Sequence, residues 1–403
     1  MKINRRFVPL ATMLIMLIAT LAITSARLRA DSGNCSGVIT TIPFTDVASS
    51  PFFCQIAAAY FSGLTNGTSA TSFSPAANVT REQMAAFSTR TLDQSLRRGS
   101  RRAALDQFWT TQGFDNLGFS TVGSLPLLVK SDGADLWVAS GGPGGTVSRV
   151  RASDGKLLET WTGADNAYGV LVAMGKIFVT ANSMPGKLYR IDPTQPSGTV
   201  TTVSMALGNT AQGIAYDGKR IWTTNRGGSV SIINLNPVTV TNVTSGFGDP
   251  AGILYDGANI WVTDDGDNLL KKLDSNGAIL QSVLVGPSPV FPVFDGINIW
   301  VPNFSNTVSV VRVKDAAGNP LTSPFVLATL TGNGLGSPVA AAFDGERILV
   351  TNSGTAGVSL WRAADLNPIG TFALNGGSVP FGACSDGLNF WITLNNSAAL
   401  ARF

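Results

Sequence analysis

From about residue 126 onward, short stretches of alternating apolar and polar residues are broken at regular intervals by Asp-Gly, and no helical periodicity is sustained. Residues 252–255 alternate into Asp256-Gly257, and residues 259–263, rich in β-formers, follow. Residues 269–273 and 279–285 come next, separated by Asp274-Ser275-Asn276-Gly277. Aliphatic and aromatic residues flanking Asp-Gly are the strongest local signal for a hairpin. The motif Asp-Gly-x-x-aliphatic-aromatic-Val starts at Asp132, Asp217, Asp256, Asp295, Asp344 and Asp386, with a degenerate copy at Met174-Gly175-Lys176-Ile177-Phe178-Val179. The motif glycines are 133, 175, 218, 257, 296, 345 and 387, and their separations run from 39 to 49 residues. Four strands in each period of about 40 residues describe a propeller blade. The pattern predicts a mainly β chain with a seven-bladed β-propeller over residues 104–403.

Five of the eight tryptophans, Trp137, Trp222, Trp261, Trp300 and Trp391, share one motif position, which assigns them to packing between blades. Pro126, Pro250, Pro289, Pro338 and Pro380 each stand seven residues before the motif glycine and read as stiffeners at strand starts. The seventh copy supplies strands over 380–385, 389–393 and 398–403 and then the sequence stops. Residues 104–111, with Leu105, Phe108 and Trp109, are otherwise unassigned and are predicted to close the last blade. The repeats resemble bacterial surface propellers of the YVTN/NHL kind, including streptogramin B lyase-like proteins. That resemblance implies a fold, since one superfold hosts many functions.

Residues 31–98 have another character and predict a small helical module. Residues 56–63 read as a short helix ended by Gly63, with Ile56 and Tyr60 on one face. Thr80 is a natural N-cap, and Gln83 completes a capping box for a second helix over 81–98, with Met84 and Phe87 inward. Phe44-Thr45-Asp46-Val47, Gly63-Leu64-Thr65-Asn66-Gly67, Phe73-Ser74-Pro75 and Thr80-Arg81 together resemble an S-layer homology motif over about residues 44–92. The resemblance implies non-covalent attachment to a cell-wall polysaccharide, with Asp46, Thr80 and Arg81 as the glycan-binding residues. The same residue types also serve as helix caps and as a mutual ion pair.

The first 26 residues read as a signal peptide. Lys2, Arg5 and Arg6 precede an apolar run over 10–23, and Thr24-Ser25-Ala26 offers a cleavage site, with Ala30 as a second. About 14 apolar residues fall short of the roughly 20 needed to span a bilayer, so no membrane span is expected after cleavage. The chain carries 28 Lys+Arg against 25 Asp+Glu; removing three basic residues with the leader leaves 25 of each. The balance gives no electrostatic case for nucleic acid. Arg97, Arg98, Arg101 and Arg102 read as a solvated helix end. In an oxidising compartment Cys35 and Cys54 are candidates for a disulfide, whereas Cys384 lies in a strand and reads as a buried apolar residue.

The sequence contains no histidine, which excludes Ser-His-Asp and Cys-His catalysis and any histidine metal site. It also separates the chain from the lyases it resembles, whose site uses a histidine. Neither a metal nor a cofactor is expected. The remaining candidates for chemistry lie where strand 2 of each blade ends, at Ser140, Asn225, Asp264, Asn303 and Asn352. Asp264, Asp265 and Asp267 form the densest acidic group. These side chains would ring the channel mouth and hold a small ligand, a glycan, a cation or a protein partner, or they are turn residues bonded to their own backbone. The leading expectation is an exported, non-catalytic protein at the cell surface or envelope. The rival is a lyase- or lactonase-type enzyme using top-face carboxylates and a divalent metal.

Overall fold

The computed structural model describes residues 30–35, 38–61, 64–88, 118–315, 317–374 and 378–403. The chain divides into two compact units, Met1–Arg97 and Arg98–Phe403.

In the first unit a hairpin pairs Asp31–Cys35 with Val38–Ile42, and the helix Phe53–Phe61 follows. The core is Ile42, Phe44, Val47, Phe53, Ile56 and Ala57, with Tyr60 and Phe73 packed against it. Asp31 Oδ2 accepts the N–H groups of Val47 (2.7 Å) and Ala48 (2.8 Å), which fixes the turn leading to the helix. The expected Cys35–Cys54 disulfide is present, with Cα atoms 5.5 Å apart. It closes a short loop in a unit with little apolar core, so reducing it is expected to cost this unit about 3 kcal/mol. Thermal unfolding of the full-length protein with and without reductant checks this: a low-temperature transition should move down while the propeller transition stays put.

Residues 81–88 are helical and the predicted inward Met84 is 56% exposed. Periodicity placed it on the inner face, but within the described residues nothing covers that face. The arginines at 97–102 and the leader lie outside the described residues.

The second unit consists of seven four-stranded antiparallel sheets, the seven blades, with strands a to d in chain order from the axis outward. In the fourth blade the strands are Pro250–Tyr255, Ile260–Asp264, Leu269–Leu273 and Ile279–Leu284, close to the sequence reading. Each motif glycine has a left-handed backbone, φ +92° at Gly257, which a residue with a Cβ seldom adopts. Asp256 organises the turn: Oδ1 accepts the N–H groups of Ala258 and Asn259 at 2.8 and 2.7 Å, and Oδ2 accepts Trp261 Nε1–H at 2.7 Å.

The same carboxylate–indole bond recurs at Asp132–Trp137, Asp217–Trp222, Asp295–Trp300 and Asp386–Trp391. Where the motif lacks tryptophan the acceptor is satisfied or absent. Blade 6 has Leu349, and Asp344 takes Arg347 Nε instead at 2.8 Å. Blade 2 has Phe178 and no aspartate. Each tryptophan packs on strands a and b of the following blade, as Trp222 does on Ile253, Ile260 and Val262. Trp391 meets Val129, Leu136 and Val138 of blade 1, so the contact runs round the ring. Cys384 is buried in that seam, and burial pushes its thiol up to about 12, leaving it an unreactive apolar group.

Blade 7 is completed by a strand that precedes blade 1, but this is Phe119–Thr121, not 104–111, which lies outside the described residues. Phe119, Ser120 and Thr121 pair with Ala401, Leu400 and Ala399. Phe119–Thr121 leads directly into strand a of blade 1 at Pro126, so the chain closes blade 7 in the step that starts blade 1.

Candidate functional site

Strand b of every blade ends at the top face, and the structure turns those ends inward. Asn225, Asp264, Asn303, Asn352 and Ser140 are all 0% exposed. Asn225 Nδ2 donates to Ser229 Oγ (3.1 Å) and Ser231 Oγ (2.8 Å) on strand c. The Asn303 amide is oriented to donate to Gly286 O at 3.1 Å and to accept from Thr307 Oγ1 and Ser309 Oγ. Asn352 Nδ2 donates to Ser359 Oγ at 2.8 Å. The three asparagines bond the b-to-c turn and the loop entering strand a, because buried polar groups there need partners, whereas the Ser140 hydroxyl is buried without one. They do not reach the channel mouth, contrary to the binding alternative.

Reading the same two positions round the ring shows paired chemistry. The residue ending strand b, and the strand c residue two beyond its register partner, are Ser140/Ser148, Asn225/Ser231, Asn303/Ser309 and Asn352/Ser359 in four blades. They are Ala181/Tyr189 and Leu394/Ala401 in blades 2 and 7. Blade 4 alone uses charge, Asp264/Lys271.

Lys271 is 2% exposed. Its ammonium donates to Asp264 Oδ2 (2.7 Å), Asp267 Oδ2 (2.5 Å) and Gly246 O (2.8 Å) and lies 5.6 Å from the Phe247 ring. Asp264 also accepts the N–H groups of Gly248, Asp249 and Gly266. Asp265 is paired with Arg226, which bridges to Asp249. The acidic group that the rival enzyme reading would use for a metal is therefore ion-paired with two cations of the chain. Among the described residues no three carboxylate or thiol side chains are placed to hold a metal ion.

A second recurring device was not read from the sequence. Two residues after the motif aromatic, a buried threonine accepts the N–H of a glycine on its own strand a. It then donates to the strand a carbonyl of the next blade. Thr180 accepts Gly169 N (2.8 Å) and donates to Gln212 O (2.7 Å). Thr224, Thr263 and Thr393 repeat it toward Ala251 O, Val290 O and Leu127 O, and Thr351, with Ala340 in place of glycine, toward Phe381 O. Blades 1 and 5 have Ala139 and Pro302 at this position, and there strand a carries Leu128 and Phe291 in place of the small residue. The signal available in the sequence was this joint replacement.

The axis is filled. Tyr168, Phe291 and Phe381, from blades 2, 5 and 7, form a triangle with ring centroids 6.0 to 6.1 Å apart. A cavity of about 50 Å³, walled by Leu128, Val170, Ile214, Ile253, Phe291 and Ala383 among others, is the space left in the channel. Burial pushes the Tyr168 hydroxyl well above its ordinary value, against the field of Arg226. This axis is an apolar plug, with room for no more than a few water molecules.

In the N-terminal unit Asp46 accepts the N–H groups of Phe73 (2.9 Å) and Ser74 (2.8 Å), which hold its carboxyl below the usual range. It thereby fixes the Phe73-Ser74-Pro75 loop. Thr80 and Gln83 form the predicted capping box: Gln83 N–H donates to Thr80 Oγ1 at 3.2 Å and Thr80 N–H to Gln83 Oε1 at 2.9 Å. Arg81 opens the helix and is exposed, and among the described residues it has no ion pair. The alignment of residues 43–85 with the sequence model of the S-layer homology domain spans all of these elements. Residues 43–85 are an S-layer homology domain.

The propeller resembles solved structures in fold. A streptogramin B lyase structure is 17% identical with a TM-score of 0.54, over 69% of this chain and 93% of that one. A catalytically inactive virginiamycin B lyase from Staphylococcus aureus, with quinupristin, is 16% identical with a TM-score of 0.56, over 71% and 98%. The Cps50 (Swd1) β-propeller domain of Myceliophteria thermophila is 9% identical with a TM-score of 0.59, over 71% and 99%. No curated protein sequence matches the chain. At these identities the likeness is one of fold. Function enters through the S-layer homology domain, which marks a cell-envelope anchoring protein. No helix among the described residues is long and apolar enough to cross a membrane.

Proposed function

We propose that this chain is exported and attached to the cell envelope through its S-layer homology domain, which binds a cell-wall polysaccharide, while the propeller acts as a non-catalytic scaffold. The observation that carries the reading is the state of Arg81. It starts a helix capped by Thr80, faces solvent and lacks an ion pair among the described residues, inside an S-layer homology domain. Asp46 has a different part. Its oxygens are occupied by loop N–H groups, so it shapes the loop beside Arg81 more than it touches a glycan. A non-catalytic propeller is supported by the neutralised carboxylates of blade 4 and by the plugged axis.

Cosedimentation of the full-length mature protein with purified sacculi tests the attachment. Wild type should pellet, and Arg81→Ala should weaken the association about tenfold or more, the loss expected of one charge-assisted contact. Absence of wild-type protein from the pellet overturns envelope attachment. Equal pelleting of the two removes Arg81 from the glycan contact.

A further inference from the structure

Among the described residues, the top face has an open groove between the loops of blades 1 and 2, with a volume of about 620 Å³. That lies within the range of small-molecule sites. Comparison with the other blades explains why it is open. Between blades 3 and 4, the first residue after strand b is Arg226, whose guanidinium reaches Asp249 and Asp265 across the gap. The same position holds Asn182, Asp265, Phe304, Ser353 and Asn395 in blades 2, 4, 5, 6 and 7, and in blade 1 it is Gly141. Gly141 lines the groove with backbone alone, and a Cβ there would lie 2.9 Å from Ala167 O. The surrounding loops are also longer. Five residues separate the paired Ser140 and Thr146, and five separate Ala181 and Lys187, against three between Asn225 and Ser229.

Lys187 is the second departure. Its counterparts are Thr146, Ser229, Leu269, Thr307, Gly357 and Ala399, none of them charged. Ser229 and Thr307 bond the asparagine at the end of strand b. Blade 2 has Ala181 at that end, so the ammonium has no such duty. Among the described residues no hydrogen bond or ion pair holds it, and it lines the groove. Facing it are Asp165 and Asn166 from the loop entering blade 2, with Ser124 on another side. Leu125 and Pro143 are its apolar side chains, and three glycines complete the wall with bare backbone.

We infer that this groove binds an acidic sugar unit: hydroxyls on the Asp165 carboxylate and the Asn166 amide, and the ligand's carboxylate on Lys187. The wall disfavours an apolar ligand, which would strand its polar groups without partners. It suits a polyhydroxylated ligand, whose donors and acceptors match a carboxylate, an amide and bare backbone. Lys187, a compact charge on a flexible stem, selects for an anion without dictating its shape. The inference does not depend on envelope attachment through Arg81, which is a separate unit of the chain.

Ligand-observed NMR on the full-length mature protein tests it, with glucuronate, glucose and acetate as probes. Glucuronate should bind, more weakly as salt is raised. Lys187→Gln should reduce its affinity about tenfold or more and leave the thermal midpoint unchanged, because the ammonium has no partner in the fold. Glucose should bind weakly and equally to wild type and Lys187→Gln. No glucuronate binding to wild type overturns the site, as does unchanged affinity in Lys187→Gln. Acetate matching glucuronate overturns the sugar and leaves an adventitious anion site.

Discussion

Lys271→Met is expected to destabilise the propeller by about 3–5 kcal/mol, because it leaves the Asp264 carboxylate buried without its counter-ion. For a fold of this size that is a fall of roughly 5–10 °C in the thermal midpoint, measured by circular dichroism. The sister blades say what should rescue it. Asn225/Ser231, Asn303/Ser309 and Asn352/Ser359 hold the same two positions with neutral pairs. The double replacement Asp264→Asn with Lys271→Ser should therefore return most of the lost stability. A double variant no more stable than Lys271→Met would show that the charge pair has a role beyond holding the turn. The pH dependence has a definite sign. Burial alone would push the Asp264 carboxyl up, but the Lys271 ammonium and the N–H groups of Asp249 and Gly248 outweigh it and hold it below its ordinary value. A carboxyl depressed in the folded state stabilises fully above its unfolded pKa of about 3.9 and loses that contribution as pH falls through the folded value. The wild type should thus lose stability below about pH 4 more steeply than the double variant.

Thr393→Val is expected to cost about 2–4 kcal/mol. The change keeps the volume but removes the hydroxyl that accepts Gly382 N–H (2.7 Å) and donates to Leu127 O (2.6 Å). Two buried backbone groups then have no partner, each at about 1–3 kcal/mol. Thr393→Ser keeps the hydroxyl and should cost below about 1 kcal/mol. Thermal or denaturant unfolding of the three proteins side by side decides it; a valine variant as stable as the serine one would mean that water or a shifted strand satisfies the two groups. The position is also the ring's seam, joining blade 7 to blade 1. Gly382 shows how tight that seam is, since a Cβ there would lie 2.3 Å from Leu127 O.

The blades were legible because their turn is chemically demanding. An aspartate that binds two N–H groups and an indole, followed by a glycine at positive φ, tolerates few substitutes, so seven copies stand out of the sequence. The strands of blade 4 follow to within about two residues for the same reason. The closing strand carried no such mark. Outer strands are half exposed, and Phe119 is 47% exposed while Ser120 is buried, so apolar content pointed to the richer segment at 104–111 instead. The site residues were located at the right end of strand b but their direction was not. Whether Asn225 faces the channel or strand c depends on Ser231, six residues on and on another strand. Reading one position alone suggested ligands; reading both positions down the seven blades shows asparagine or serine with serine, aspartate with lysine and Ala181 or Leu394 with Tyr189 or Ala401.

The closing strand also sets a load path. Under the envelope attachment proposed above, a pull on the propeller's far side travels through the chain to its N-terminal end, and the first propeller strand it meets is Phe119–Thr121. That strand pairs with Ala399, Leu400 and Ala401, and its flanks add bonds from Val122 N–H to Ala398 O and from Arg402 N–H to Gly118 O. Tension along the tether therefore loads this short ladder before the longer ones, which makes the ring's closure its mechanical weak point.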